Sequence, residues 1–111
     1  MIEQVRPSGL DAWLQAQSGP AVVLDVREPE ELQMASIEPR GFELLVIPMN
    51  DVPARLAELQ ADRPVAVLCH RGARSQRVAM YLASNGFAAV ANIAGGIDAW
   101  SLERDPAVPR Y

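Results

Sequence analysis

Short apolar runs without polar alternation punctuate the chain at residues 21–26, 44–47, 65–68 and 88–93. A run that is apolar without alternation, such as Ala21 to Val26, suits a strand buried on both faces, as in a parallel sheet. Glu3-Gln4-Val5 is a candidate short first strand. Between the runs, apolar positions recur at helical spacing. Leu10, Trp13 and Leu14 fall at i, i+3, i+4 behind Ser8 as a candidate N-cap, and Ser18-Gly19-Pro20 stops that helix. Pro29 followed by Glu30 and Glu31 suits the first turn of another. Val52, Leu56 and Leu59 share a face at i, i+4, i+7, with Asp51 as cap and Pro53 in the first turn, which predicts a helix there. Val78, Ala79 and Leu82 form the apolar side of residues 76–85, with Tyr81 at its edge and Asn85-Gly86 as the stop. Gly95-Gly96 marks a turn that side chains would block, and a final helix opens at Ile97 to Trp100. Trp13 and Trp100 are assigned to the core. The stretch from Asp105, with two prolines, is expected to be extended and superficial. Strand runs alternating with amphipathic helices predict one α/β domain with a parallel sheet and helices on both faces.

Composition agrees with this reading. The chain has 111 residues, half of them hydrophobic, enough for one domain with a proper core. The net charge is −4 with no basic run, which argues against nucleic acid as the main partner. No stretch approaches membrane-spanning length, and the first residues lack the apolar core of a signal peptide. The expected location is therefore cytoplasmic, where a free thiol stays reduced. One cysteine and one histidine exclude an internal disulfide framework and make a structural zinc site implausible.

That cysteine lies in Cys69-His70-Arg71-Gly72-Ala73-Arg74-Ser75, between an apolar strand and an amphipathic helix. The first N–H groups of a helix have no intrahelical partner and, with the helix dipole, favour an anion. A thiol there, beside Arg71 and Arg74, is biased toward thiolate, the nucleophilic form. Gly72 permits a tight loop, and Ser75 is a candidate N-cap. Without a resolving cysteine, anything loaded on Cys69 must be removed by an outside molecule. The plainer alternative is that Cys69 is a small apolar residue ending a strand. Asp25 and Arg27 end another buried strand, near where α/β sheets place their sites. Asp25 is assigned to an architectural ion pair, and Arg27 to either such a pair or the pocket lining. Arg77 reaches either the pocket mouth or solvent.

The Cys69 loop resembles the active-site loop of rhodanese-like domains, the sulfurtransferase family. Leu24-Asp25-Val26-Arg27-Glu28-Pro29-Glu30-Glu31 resembles the family's early signature and Gly95-Gly96-Ile97-Asp98-Ala99-Trp100 its late one, in family order and spacing, over about residues 20–101. The tail, residues 105–111, resembles that of small single-domain members. The sequence departs from the family at Ala35-Ser36-Ile37 and Pro39-Arg40-Gly41-Phe42, where a Gly-His-Ile and a Pro-Gly-Ala turn are usual, so the third strand's register is left open.

The resemblance implies a single rhodanese-like domain with a five-stranded, mainly parallel sheet and its site at the strand C-terminal edge. It implies that Cys69 takes sulfane sulfur from an anionic donor as a persulfide and passes it to cyanide, a thiol or a protein acceptor. The backbone of His70, Arg71, Gly72, Ala73, Arg74 and Ser75 would cradle that anion, Arg71 and Arg74 would steer the donor, and no metal or organic cofactor is required. The basic loop favours thiosulfate as donor. The competing functions are a non-catalytic binding or regulatory module and a cysteine-based phosphatase or arsenate reductase, whose loop is one residue longer than the Cys69–Arg74 span. A sulfur carrier working only with a protein partner shares the persulfide chemistry.

Overall fold

The computed structural model describes residues 2–111. Five strands, β1 (Glu3–Val5), β2 (Val22–Asp25), β3 (Glu43–Val46), β4 (Val65–Leu68) and β5 (Val90–Ile93), form one sheet in the order β1-β5-β4-β2-β3. Every pairing is parallel. The central strands β2 and β4 are buried at every residue, which explains the apolar runs Val22–Leu24 and Val65–Leu68. The register left open for β3 is in step with β2, from Val22 opposite Glu43 to Asp25 opposite Val46.

Two cores flank the sheet, and strand parity sorts residues between them. Val22, Leu24, Val65, Val67 and Cys69 face α3 (Ala73–Ser84), which contributes Val78, Ala79 and Leu82. Val23, Ala66, Leu68, Ala91 and Ile93 face the opposite layer, where α1 (Leu10–Gln15) supplies Leu10 and Trp13 and α4 (Gly96–Glu103) supplies Ile97 and Trp100. Burying each large apolar side chain contributes roughly 1.5–3 kcal/mol. Helix α2 (Pro29–Met34) buries none of its residues. The Glu31 carboxylate accepts the Glu28 N–H at 2.9 Å, satisfying a donor before the first turn, with Pro29 at the position where a missing N–H costs nothing.

Two local expectations are corrected and a third is narrowed. The helix predicted behind Asp51 is replaced by two 3-10 turns, Met49–Asp51 and Leu56–Glu58. A single i+4 bond forms, from the Arg55 N–H to the Asp51 carbonyl at 3.0 Å, after which the Glu58 and Leu59 N–H groups reach back only three residues, to Arg55 and Leu56 at 2.9 and 3.0 Å. Val52 and Leu59 still reach the core, so the apolar pattern read burial correctly and helicity wrongly. Ser8 does not cap α1. It sits in a 3-10 turn and bonds the Glu103 carboxylate at 3.1 Å, while Gly9 holds the cap position. The tail is superficial at Pro106, Ala107, Pro109 and Arg110, as expected, but Val108 is 5% exposed and pins it within the α1/α4 core.

The start of α4 closes on the backbone just past the end of β4. There the N–H groups of Ile97 and Asp98 donate to the Cys69 and His70 carbonyls at 2.9 and 3.1 Å. Gly96, at φ +59°, allows this approach, since a Cβ there would lie 2.4 Å from the His70 oxygen and 2.6 Å from that of Cys69. Gly96→Ala is therefore expected to cost about 2–4 kcal/mol through backbone strain and overpacking, measured as a shift in the urea midpoint at unchanged m-value.

Candidate functional site

The chain turns from β4 into α3 through Cys69–Gly72 at the C-terminal edge of the sheet, where open α/β sheets place ligands. Gly72, at φ +106°, makes the turn and occupies the N-cap of α3. Its N–H donates to Cys69 Sγ at 3.0 Å. The N–H groups of Ala73, Arg74 and Ser75 open the helix without intrahelical acceptors. The Cys69 and His70 carbonyls are drawn off toward α4, and the Gly72 N–H is the backbone donor that reaches Sγ.

Ser75 is not the N-cap predicted for it. It lies in the first turn of α3, fully buried, with its hydroxyl 3.1 Å from Cys69 Sγ and donating to Asn92 Oδ1 at 2.5 Å. Asn92 is itself oriented, its amide donating to Gln4 Oε1 at 2.9 Å and to the Gly72 carbonyl at 3.2 Å. A hydroxyl has one proton. While it goes to Asn92, the Ser75 oxygen accepts from a Cys69 thiol; turned about, it donates to a thiolate. Asn92 escaped sequence reasoning, although a lone amide within Val90-Ala91-Asn92-Ile93 is a signal, since a polar group on a buried strand needs a partner.

The arginines of the loop divide. Arg74 is held by Glu31 through two parallel hydrogen bonds of 2.7 and 2.8 Å, so its charge is compensated and it straps α3 to α2. Its guanidinium is held to Glu31 still more firmly in the protonated form, its pKa raised above the ordinary value. The Glu31 carboxyl is pushed down to about 2, first by Arg74, with the Glu28 N–H and the Tyr111 hydroxyl adding to the effect against partial burial. Arg71 is exposed and, among the described residues, has no ion-pair partner; it lies close enough to Asp98 to help lower that carboxyl, although Arg110 is the main cause. Ala73 is also exposed.

Arg27 does not line an open pocket. It is 0% exposed and grips Asp25 through contacts of 2.8–3.2 Å, the ion pair assigned to Asp25. Burial alone would lower the Arg27 pKa, but hydrogen bonds to Asp25 and Tyr111 outweigh it and raise the value. Removing one partner of such a pair costs about 3–5 kcal/mol because the other charge stays buried. Arg77 is exposed and borders a shallow hollow with Met49, Val52, Pro53, Val78 and Tyr81, apart from the groups bonded around Cys69.

Tyr111 completes the constellation. Its ring stacks on His70 at a centroid distance of 4.0 Å and an interplanar angle of 8°, and its backbone oxygen lies 2.7 Å from His70 Nε2. Its hydroxyl donates to Glu31 Oε1 at 2.8 Å and accepts from Arg27 Nη1 at 3.1 Å. Neither partner is near it in sequence, so periodicity and turn chemistry held no trace of it. A surface hollow of about 780 Å³, lined by Pro20, Phe42 and Arg63 among others, lies at the opposite end of β2, β3 and β4 and does not include Cys69. Among the described residues, no group of three or more His, Cys, Asp or Glu is placed to hold a metal ion, and no helix is long and apolar enough to cross a membrane.

The family profile of the Rhodanese-like domain matches residues 9–103. The chain belongs to the rhodanese-like domain family. This rhodanese-like domain is 32% identical to a sulfurtransferase of Allochromatium vinosum over 108 residues, which cover 97% of this chain and 96% of that one. It is 42% identical over 95 residues to the Rhodanese-like/PpiC domain-containing protein 12 of Arabidopsis thaliana, covering 82% of this chain but only 30% of that longer protein. Among solved structures it resembles a rhodanese-like domain protein from Staphylococcus aureus, with a TM-score of 0.77, 28% identity and 99% of both chains covered. It also resembles the polysulfide-sulfur transferase homodimer of Wolinella succinogenes, with a TM-score of 0.74, 28% identity, and 92% of this chain and 74% of that one covered. At the level of the family, the activity is sulfur transfer.

The ion pair of this rhodanese-like domain has a pH signature. A carboxyl whose folded pKa lies below its ordinary 4.5 stabilises the fold above that value, and the contribution fades as pH falls toward about 2. Glu31→Gln is expected to lower stability by about 1–2 kcal/mol at pH 7, and the gap from the parent protein should narrow between pH 4.5 and pH 2. Urea melts across that range provide the check.

Proposed function

We propose that this rhodanese-like domain transfers sulfane sulfur from thiosulfate, or a donor of like charge, through a persulfide on Cys69. The observation that carries the reading is the Gly72 N–H aimed at Cys69 Sγ at 3.0 Å, at the mouth of a helix whose first amides have no other backbone partner. The Cys69 thiolate attacks the outer sulfur of thiosulfate. A new S–S bond forms, the donor's S–S bond breaks, and sulfite leaves with the electron pair. The terminal persulfide sulfur, negatively charged, is met by donors already in place, which need no reorganisation as the charge moves. A nucleophile such as cyanide then attacks that sulfur, thiocyanate departs, and the thiolate is restored. A thiol or a protein acceptor enters the same step. No metal or organic cofactor takes part in this scheme.

Each loop residue has a part in the reading. Cys69 is the nucleophile. The backbone from His70 to Ser75 surrounds the transferred sulfur, with Gly72 and the Ser75 hydroxyl touching Sγ itself. Arg71, exposed and without an ion pair among the described residues, meets the incoming anion. Arg74 holds the wall of the site instead of the donor, because Glu31 occupies its fork.

Cys69→Ser is expected to abolish thiosulfate-to-cyanide transfer, and intact-mass measurement after exposure to thiosulfate should show one added sulfur on the parent protein and none on the variant. Turnover by the variant would remove Cys69 from the mechanism, and an unmodified parent protein would favour a non-catalytic module.

The division of labour between the arginines is separately testable. Arg71→Ala should raise the KM for thiosulfate about three- to tenfold with a smaller change in kcat, an effect that shrinks with added salt. Steady-state kinetics at low and high ionic strength would reveal it, and an unchanged KM would return donor binding to the amides alone.

A further inference from the structure

Cys69 is 1% exposed, so a sulfur acceptor meets it only through what surrounds the loop at the sheet edge. On the side toward α2 that surround includes Tyr111. Its ring lies flat on His70, the residue next to the nucleophile, and its hydroxyl is held between Glu31 on α2 and Arg27 at the end of β2. The same Glu31 holds Arg74, so the aromatic plate and the α2–α3 strap share one carboxylate. The segment leading to Tyr111 is anchored twice, by Val108 in the core and by Arg110 on Asp98 at 2.9 Å. A ring with a stacked neighbour, a satisfied hydroxyl and a tethered backbone is a fixed wall.

We propose that Tyr111 is a specificity-determining residue of this site: the plate it forms on His70 narrows the approach to Cys69, so that small acceptors such as cyanide are favoured over bulky thiols. The inference rests on the sulfur-transfer reading above and adds the residue that selects the acceptor. Tyr111 acts through the shape of the entrance and through His70, not on the reacting sulfur. Loss of the ring removes the obstacle and frees His70 to move, whereas loss of the hydroxyl alone leaves the stacked plate and its backbone tether.

Two measurements test it. With thiosulfate as donor, kcat/KM is compared for cyanide and for glutathione. Tyr111→Ala should raise the glutathione-to-cyanide ratio about fivefold or more, chiefly through a lower KM for glutathione. Tyr111→Phe, which keeps the ring, should stay within about twofold of the parent protein. An unchanged ratio in the alanine variant, or a shift toward cyanide, overturns the proposal. The second measurement needs no turnover. The rate of Cys69 alkylation by iodoacetamide is compared with that by a fluorescein maleimide, and the alanine variant should accelerate the bulky reagent about fivefold more than the small one. Equal acceleration of both also overturns it. Because alkylation requires only a thiol, this outcome stands whether or not Cys69 carries sulfur. Should the alanine variant fail to fold, Tyr111→Leu, which lacks the flat plate, is put to the same two comparisons and is expected to shift them in the same direction.

Discussion

Everything at the site depends on two hydrogen bonds that cross from one helix to the preceding loop. The N–H groups of Ile97 and Asp98 take the carbonyls of Cys69 and His70. A peptide unit that turns its carbonyl outward turns its N–H the other way, so this clamp decides what the loop shows the sulfur. It is possible only because residue 96 has no side chain, as its place for a Cβ is already filled by the loop's backbone. Gly96, the first residue of α4, thus serves the cysteine 27 positions earlier as much as its own helix.

Around that clamp, polar groups are used sparingly and almost always in pairs. Asp25 with Arg27 and Glu31 with Arg74 form two neutralised couples, and Tyr111 joins one to the other through its hydroxyl. Such couples are poor attractors of a distant anion but stiff supports, because each removes a charge that would otherwise have to be solvated. The site is therefore less cationic than the loop's composition suggests. What remains for an incoming anion is a partial positive potential from oriented amides and the exposed Arg71. A thiol surrounded by fixed dipoles has its thiolate, and negative charge developing beside it, stabilised without reorganisation.

Cys69 lies in the layer between sheet and α3, as strand parity requires. Its burial does not make it an ordinary core residue, since an N–H and a hydroxyl both reach Sγ. The apolar walls exclude water, which strengthens those contacts. Ser75 and Asn92 extend the polar contact into β5, so three consecutive elements of the central fold (β4, α3 and β5) share in orienting one sulfur atom.

The sequence by itself determined the α/β class, the four apolar strands and the site of the strand-to-helix turn that carries the lone cysteine. Those features are local: period, turn residues and the chemistry of one loop are written in neighbouring letters. It misjudged the segment behind Asp51, where apolar spacing registers burial but not that the backbone bonds close over three residues, and it placed Ser8 and Ser75 as caps when each had a more distant partner. Only the tertiary structure decided that Arg74 belongs to Glu31, that Arg27 is sealed against Asp25, that Asn92 holds the Ser75 hydroxyl, and that Tyr111 covers His70. Most of these contacts join residues from 17 to 43 positions apart, and side-chain partnership over such distances is settled by the order of strands in the sheet and the packing of helices on it, which no local pattern encodes.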